Sequence, residues 1–283
     1  MTDTAILILI GFLGAPVAGA LISGLDRKLT ARMQSRKGPP LLQPFYDIIK
    51  LLGKERTTAN PWLAFCAFMY LGGAAVSCIL FFLRTDLLLV FFTQAVGAVF
   101  LAMGALGSDS PYSRVGGQRE ILQIMAYEPI IILAVAAIAY ATGSFRIDMA
   151  LAHEKPLLLE LPLVFLALGY ALTIKLRKSP CDISGSHHAH QELVRGVFTE
   201  YSGPWLGVVE IAHLYEVVLL LGLIGLFWSS PWWAMAILLA ATYFAEILID
   251  NATARLTWRW MLPTAWGAGI VLTVANLLWL RMV

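Results

Sequence analysis

The feature that most constrains this 283-residue chain is a series of apolar runs, each about 20 residues long. A helix of about 20 residues crosses the roughly 30 Å hydrocarbon core of a membrane. Only 13% of the residues are charged, about half the share in a typical soluble domain. The pattern predicts an all-α, polytopic integral membrane protein folded as a single transmembrane domain. Eight spans are expected, at about 4–25, 62–83, 87–107, 121–142, 158–176, 205–228, 231–250 and 263–281.

The basic residues are distributed asymmetrically around these spans. Segments 26–61, 108–120, 175–204 and 251–262 contain 16 of the 20 Lys and Arg residues, and they fall on one side if the spans alternate. Because Lys and Arg concentrate in cytoplasmic loops, we expect these segments to face the cytoplasm and the amino terminus to lie outside. The start lacks a basic region before its first apolar run, so a retained first helix is expected rather than a cleaved signal peptide.

A short amphipathic helix is predicted in the first cytoplasmic loop. Apolar residues recur at helical spacing from Phe45 to Leu52, directly after Pro44. About ten residues cannot cross the membrane, so this helix should lie in its interface. The cations before it are expected to anchor the loop on anionic lipid, to dock a soluble partner, or to do both. They are Arg27, Lys28, Arg32, Arg36 and Lys37, and Asp47 and Lys50 complete the expected docking surface.

Ionisable residues also occur within the predicted spans. Each acid at the bilayer centre costs about 2.5–3.5 kcal/mol on insertion scales, so these side chains should face one another or a wet cavity. Intramembrane acids typically mark proton or ion paths. Some could instead pair with Arg or hydrogen-bond only to lock the bundle, and Asp250, close to Arg255, suits that structural role best. The candidate path consists of Glu128, Glu210, His213, Glu216, Glu246 and Asp250.

The sequence predicts neither a catalytic residue nor a metal site in this chain. Glu210 and His213 form one Glu-x-x-His pair, whereas di-iron bundles use two pairs and further glutamates. The three cysteines lie far apart, so no iron–sulfur cluster is expected. The histidines between the fifth and sixth spans lack zinc-site partners. Since imidazole titrates at about pH 6.5, these histidines fit proton handling better.

Three separated motifs resemble those of one protein family. The loop after the fifth span begins with Pro-Cys-Asp and ends in Glu-Tyr-Ser-Gly. The first loop contains Arg-x-Gly-Pro and Gln-Pro-x-x-Asp-x-x-Lys, and the fourth span contains Ala-Tyr-Glu. In this order they are similar to the membrane subunit of respiratory complex I that houses the quinone chamber, and the resemblance covers nearly the whole chain. The motifs lie at 180–182, 192–203, 36–39, 43–50 and 126–128.

Two departures from that pattern resemble a second branch of the family. Only three residues separate Gly-Pro from Gln-Pro, and histidines replace most acids of the central loop. Both features look like the homologous subunit of membrane-bound, energy-converting nickel–iron hydrogenases, which oxidise ferredoxin, reduce protons to H2 and move ions. The resemblance implies a loop that couples redox change in attached subunits to ion movement. Its residues would be Asp182, His187, His188, His190, Glu192 and Glu200.

The same resemblance implies the cellular location of the chain, its partner subunits and the cofactors that they carry. It would bind no cofactor itself, and the iron–sulfur clusters and the nickel–iron centre would belong to partner subunits. The expected partners are the hydrogenase large and small subunits, an iron–sulfur subunit, an antiporter-like membrane subunit and the lipid bilayer, with no nucleic acid. The expected location is the inner membrane of a prokaryotic cell.

Two other functions stay open at this stage. The chain could be the quinone-binding membrane subunit of a complex I-type NADH/quinone dehydrogenase. It could also be a stand-alone transporter or a passive anchor, although it shows no inverted repeat of the kind found in many transporters. The sequence does not choose between H+ and Na+ as the coupled ion, because carboxylates serve either.

Overall fold

The computed structural model describes residues 2–55, 60–181, 184–185 and 195–282, and this part of the chain is helical and contains no strand. The first helix, α1, continues through a π-helical turn and consists of Thr2–Leu9, Ile10–Gly14 and Ala15–Met33. The others are α2 (Gln43–Leu52), α3 (Pro61–Phe82), α4 (Leu87–Leu106), α5 (Pro111–Thr142), α6 (Ile147–Leu151), α7 (Leu157–Glu160), α8 (Pro162–Lys175), α9 (Pro204–Gly225), α10 (Trp232–Ala252) and α11 (Trp258–Met282).

Seven helices of the described chain are long and apolar enough to cross a membrane, namely α1, α3, α4, α5, α9, α10 and α11. The predicted all-α, polytopic membrane protein is therefore confirmed. The most enclosed of the seven is α9, with 67% of its apolar window buried, whereas α1 and α10 have 22% buried. Helix α9 thus lies at the centre of the bundle, and α1 and α10 lie at its periphery.

The helix that corresponds to the predicted span 158–176 is shorter than the others. Helix α8 has 14 residues, about 21 Å at 1.5 Å per residue. It begins afresh at Pro162 because a proline has no N–H with which to extend the one-turn α7. The buried Asn276 of α11 satisfies two free donors at this start, since its Oδ1 accepts from the backbone N–H of Leu163 at 2.7 Å and of Val164 at 3.2 Å. Helix α8 is thus fixed against α11 at its start.

Helix α5 is longer than the span predicted at 121–142. It begins at Pro111 and has 32 residues. The sequence places 108–120 in a loop because that segment is charged, yet in the fold Glu120 is buried within the helix. A charged residue does not end a helix when it has a partner. Glu120 and Glu128 therefore lie on one element, about two turns apart.

Helix α2 coincides with the amphipathic helix expected after the first span. Pro44 occupies its first turn, where a missing N–H is tolerated. Tyr46 and Ile49 are exposed apolar residues, while Leu51 and Leu52 contact α9 where Gly207 leaves room for them. The helix therefore leans on the bundle and presents an apolar face outward.

Candidate ion-relay site

The end of α8 carries three buried cations within four residues. Lys175, Arg177 and Lys178 have side chains that are only 3%, 5% and 7% exposed. Buried charges are found where they are paired, and each of these three pairs with a different acid. We call residues 175–178 the basic segment. In the sequence these residues count only as loop charges, and their burial was not predicted.

Lys175 lies between two acids from different helices. Its Nζ is 3.6 Å from Glu128 Oε1 on α5 and 4.0 Å from Glu216 Oε1 on α9. The ammonium group also lies 4.4 Å from the centre of the Tyr127 ring, and Nζ donates to the Tyr127 hydroxyl at 3.4 Å. One cation thus joins two carboxylates of the predicted ion path.

Glu216 is the best-coordinated acid of the site. Its Oε2 accepts from the Tyr70 hydroxyl of α3 at 2.7 Å, and its Oε1 accepts from the side-chain amide of Gln94 on α4. The Gln94 carbonyl oxygen accepts in turn from Ser77 Oγ at 2.9 Å. His213 Nδ1 lies 3.5 Å from Glu216 Oε2, one turn earlier on α9. Tyr70, Gln94 and Ser77 were not predicted from the sequence. Gln94 could have been identified, because it is a lone Gln inside an apolar run.

Arg177 pairs with a second acid of α5. Its Nη2 lies 2.9 Å from Glu120 Oε1, and the Ser184 hydroxyl donates to the other carboxylate oxygen. The guanidinium also lies 5.0 Å from the centre of the Phe198 ring. Burial lowers the pKa of Arg177, but the neighbouring negative charge of Glu120 more than offsets this, so its pKa is raised. Arg177 therefore remains charged.

Lys178 reaches α1 and α10. Its Nζ lies 2.8 Å from Asp26 Oδ2, which also accepts from the Tyr243 hydroxyl at 3.0 Å. The next residue, Ser179, donates its backbone N–H to Asp250 Oδ1 at 2.8 Å. Glu246, one turn before Asp250, is buried, and its Oε2 has no hydrogen-bond partner among the described residues. The basic segment therefore connects with α1, α5, α9 and α10.

The structure groups most, but not all, of the acids that the sequence singled out. Glu128 and Glu216 flank Lys175, and His213 lies beside Glu216. Glu246 and Asp250 lie on α10, where Asp250 accepts from the backbone of Ser179, next to Lys178. Glu210 is partly buried on α9, and within the described chain it makes no hydrogen bond or ion pair. Of the predicted coupling loop, Glu200 is described and partly buried. The residues Asp182, His187, His188, His190 and Glu192 lie outside the described residues.

The residues expected to dock a partner lie at the ends of α1 and α2. Arg27 and Asp47 pair with each other at 2.6 Å, with side chains 44% and 39% exposed, so they tie α2 to α1. Lys28 is partly exposed, and Arg32, Arg36, Lys37 and Lys50 are exposed. These five cations form a basic surface beside the apolar face of α2.

The side chains of the described site are of types that can hold charge and exchange protons. Carboxylates, a tyrosine hydroxyl, a histidine and three cations lie within one connected network, and no group of three His, Cys, Asp or Glu side chains in the described segments is placed to hold a metal ion. The cysteines Cys66, Cys78 and Cys181 are buried free thiols.

Known proteins share this sequence pattern and fold. Relatives include hydrogenase-4 component C of Escherichia coli, 31% identical over 67% of this chain and 64% of that protein. Formate hydrogenlyase subunit 4 of Escherichia coli is 30% identical over 81% of this chain and 78% of that protein. An NADH-quinone oxidoreductase subunit of Syntrophobacter fumaroxidans is 27% identical over 93% of this chain and 90% of that protein. The chain thus spans slightly less than two thirds of the first of these relatives and most of the other two.

One solved structure and one family model match nearly the whole chain. A chain of the membrane-bound sulfane sulfur reductase, an archaeal respiratory membrane complex, superposes with a TM-score of 0.88 over 98% of this chain and 99% of that chain, at 22% identity. This likeness shows a common fold. The family described as NADH dehydrogenase matches residues 4–281, and the resemblance drawn from the three motifs is confirmed. The chain belongs to the NADH dehydrogenase family.

Proposed function

We propose that this chain is the ion-translocating membrane subunit of a multi-subunit, energy-converting hydrogenase complex. Two relatives are components of hydrogenase systems by name. The observation that carries the proposal is the basic segment, whose three buried cations each hold a carboxylate of another helix. A buried network of this kind costs free energy unless it is fully paired, and intramembrane networks of acids typically serve ion movement.

Redox chemistry in this proposal belongs to attached subunits. Ferredoxin oxidation and proton reduction to H2 would take place on an iron–sulfur subunit and on the hydrogenase large and small subunits. The exposed cations at the ends of α1 and α2 would dock these subunits. The neighbouring antiporter-like subunit would receive the moving ion, either H+ or Na+.

The coupling step would use the loop that follows the basic segment. Ser184 joins that loop to the site in two ways, because its hydroxyl donates to Glu120 and its carbonyl accepts from Val197 N at 3.0 Å. A displacement of the loop therefore acts directly on the Glu120–Arg177 pair. The shift in charge would pass along residues 175–178 to Glu128 and Glu216. The histidines of the loop would respond near neutral pH.

Replacement of a single carboxylate of the proposed ion path should distinguish hydrogen turnover from ion movement. Glu128→Gln and Glu216→Gln should leave dye-linked hydrogen turnover of the complex unchanged but reduce ion uptake into inverted membrane vesicles by about tenfold or more, a barrier increase of roughly 1.4 kcal/mol. Glu154→Gln is the control, since Glu154 is exposed in the α6–α7 connection. Normal ion uptake in both path variants would remove these residues from the route.

The orientation of the chain is part of the proposal. The segments rich in Lys and Arg would face the cytoplasm of a prokaryotic cell. A cysteine introduced at Lys37 should then react with a membrane-impermeant maleimide only in inverted vesicles, whereas one at Lys155 should react only in right-side-out cells. The reverse pattern would contradict this orientation.

A second candidate function is quinone binding in a complex I-type enzyme. It is favoured by the relatives named as NADH-quinone oxidoreductase subunits, one of which aligns over 93% of this chain. Purification of the complex through a tag on this chain separates the candidates. Bound nickel together with H2 turnover supports the hydrogenase proposal. A stoichiometric, reducible quinone without nickel supports the alternative.

A further inference from the structure

An apolar cleft of about 530 Å³ is lined mainly by α1, α9 and α10, with further residues from α3 and α6. Its walls include Phe81, Leu221, Leu226, Leu239 and Ala240, and its rim includes Arg84. Arg84 lies in the α3–α4 connection, at the end of the bundle opposite the basic segment. The cleft is therefore separate from the ion-relay site along most of its length.

The cleft opens toward the hydrocarbon of the membrane. Two of its walls belong to α1 and α10, which are among the least buried spans, and Ala240 is exposed. A concave apolar surface at this depth takes an apolar guest rather than water, which needs polar partners. The guest must therefore come from the lipid phase.

The size of the cleft matches one acyl chain. A methylene group takes up about 30 Å³, similar to the share of one water molecule in the liquid, so 530 Å³ holds a chain of about 16–18 carbons. The α1 wall extends from Leu7 to Leu25 and the α9 wall from Val218 to Gly225, about 27 Å and about 11 Å at 1.5 Å per residue. One leaflet of the hydrocarbon core is about 15 Å thick, so the cleft is long enough to take an acyl chain from one leaflet.

The rim of the cleft carries a positive charge, that of Arg84. Arg84 is exposed and forms no ion pair with another residue of the described chain. The nearest acid in sequence, Asp86, is engaged as the cap of α4, where its Oδ1 accepts from Leu88 N at 2.8 Å. An unpaired guanidinium at a membrane surface matches a phosphate group, which it can bind through two parallel hydrogen bonds.

From these features we propose that the cleft binds one acyl chain of an anionic phospholipid from the surrounding membrane, with the lipid phosphate on Arg84. The deep end of the cleft reaches Tyr243, whose hydroxyl donates to Asp26, the partner of Lys178. The bound chain would cover the apolar side of this tyrosine and exclude water from it. The lipid is thus a structural ligand that extends from one membrane surface to the edge of the buried network.

A matched pair of variants tests the cleft. Ala240→Phe places a ring in the cleft, whereas Ala241→Phe adds the same ring to the adjacent exposed position outside it. The complex, purified in mild detergent through a tag on this chain, would be analysed by native mass spectrometry and lipid extraction. We expect one phospholipid fewer per complex in Ala240→Phe and an unchanged lipid count in Ala241→Phe. Equal lipid content in both variants would overturn the proposal, as would an isoprenoid quinone as the molecule displaced.

A second experiment tests the charge at the rim. The complex would be placed in lipid nanodiscs that contain phosphatidylglycerol or phosphatidylcholine with a photoactivatable acyl chain. Phosphatidylglycerol should label Leu221 or Leu239 more strongly, and Arg84→Ala should reduce this labelling about fivefold, the effect of roughly one basic residue at an anionic surface. Lys155→Ala removes an exposed cation that does not line the cleft and should leave the labelling unchanged.

Each result of the labelling experiment bears on the proposal. Equal labelling by the two lipids, without an effect of Arg84→Ala, would disprove the phosphate contact. Cleft labelling no stronger than labelling of the outer face of α11 would disprove the binding site, and a helix of a partner protein crosslinked through the cleft would do the same. Neither experiment uses hydrogen turnover or ion uptake as its readout. The lipid-binding proposal can therefore be tested even if the proposed hydrogenase function is wrong.

Discussion

The guanidinium of Arg177 lies 2.9 Å from the carboxylate of Glu120, and both side chains are only 5% exposed. This pair joins the end of α8 to the early part of α5, and Ser184 satisfies the second carboxylate oxygen. The attraction between buried charges offsets their desolvation only when the geometry is good and the remaining atoms are hydrogen-bonded. Both oxygens of the Glu120 carboxylate are satisfied here, so the pair fixes the start of the predicted coupling loop relative to α5.

Removal of one partner of this pair should be strongly destabilising. Arg177→Met leaves a buried carboxylate without its cation, a change that typically costs about 3–5 kcal/mol. The double variant Arg177→Met with Glu120→Leu should recover much of the loss, because no unpaired charge remains. Thermal unfolding of the purified complex would measure both effects. A double variant no more stable than Arg177→Met alone would contradict this explanation.

The stability difference between the wild type and the double variant Arg177→Met with Glu120→Leu should not depend on pH between 6 and 9. The pKa of Arg177 is raised by Glu120 against the opposing effect of burial. A cation with a raised pKa contributes fully below its unfolded-state pKa, which for arginine lies far above neutral pH, and loses that contribution only as the pH rises through the folded-state value. The pH window is therefore strongly alkaline. The double variant contains no unpaired acid, so its stability relative to the wild type should be the same at pH 6 and pH 9, and a difference that changes between these pH values would argue against the pairing.

The pair of Arg146 and Asp148 should behave differently despite a similar distance of 2.8 Å. Its side chains are 63% and 39% exposed, and exposed pairs contribute little because water screens them. A hydrogen bond from Arg146 lowers the pKa of Asp148, so whatever the pair contributes is present above the unfolded-state pKa of about 3.9 and is lost as the pH falls below it. Asp148→Asn should leave thermal stability and hydrogen turnover unchanged at pH 7. A clear loss of stability would show that the loop is more buried in the assembled complex.

Lys175 should matter more for ion movement than for chemistry. Lys175→Gln removes the charge that lies between Glu128 and Glu216, so the two acids would repel each other or take up protons. We expect ion uptake into inverted vesicles to fall by about tenfold or more, with dye-linked hydrogen turnover retained. Lys155→Gln is the control for loss of an exposed charge. Parallel loss of both activities would indicate a failure of assembly, which Lys175→Arg should then rescue in part.

The hydrogen-bonded series of Ser77, Gln94 and Glu216 predicts a specific role for an amide at membrane depth. Gln94→Leu leaves both Glu216 Oε1 and the Ser77 hydroxyl without this partner, and a buried unsatisfied group costs about 1–3 kcal/mol. Thr93→Val is the matched control, because Thr93 lies next in sequence and its hydroxyl donates to the Leu89 carbonyl of its own helix. Thermal unfolding should show a clear loss for Gln94→Leu alone. Equal stability of the two variants would show that Glu216 does not need the amide.

The membrane class of the protein could be predicted from the sequence because apolar length is a local property. The same reasoning did not find Glu120, Arg177 or Lys178 as site residues. Charges next to an apolar run are ordinarily solvated loop residues, and only the tertiary fold shows that this loop turns back into the bundle. Sequence reasoning likewise placed Pro162 inside one continuous span. The helix start at this proline is stabilised by Asn276, which lies more than 100 residues away in the sequence and could not be identified as its partner.

The acids of the predicted ion path could be identified from the sequence because, unlike the loop charges, they lie inside apolar runs. Glu128 and Glu216 stand out within apolar runs, and the cost of such acids in a membrane implies partners. The sequence could not say which partners they have. The cation between them, Lys175, lies at the last position of α8, and Tyr70 belongs to a helix whose sequence is almost wholly apolar. Glu210 shows the limit of the argument, because it shares a helix with Glu216 but has no contact within the described network.

The close contact of α5 with the turn at 196–198 gives the last prediction. A Cβ atom at Gly116 would collide with the backbone of Gly196 and Val197. Gly116→Ala should therefore displace this turn, break the Val197–Ser184 hydrogen bond and weaken the Glu120 site. Gly169→Ala in α8 is a matched control, since a Cβ there meets no atom within 4 Å and alanine favours a helix by about 1 kcal/mol over glycine. Thermal unfolding and ion uptake of the complex should both fall in Gly116→Ala and stay at or above the wild-type level in Gly169→Ala. If Gly116→Ala has the thermal stability and ion uptake of the wild type, displacement of the turn affects neither property. The proposal that the loop takes part in coupling would then be wrong.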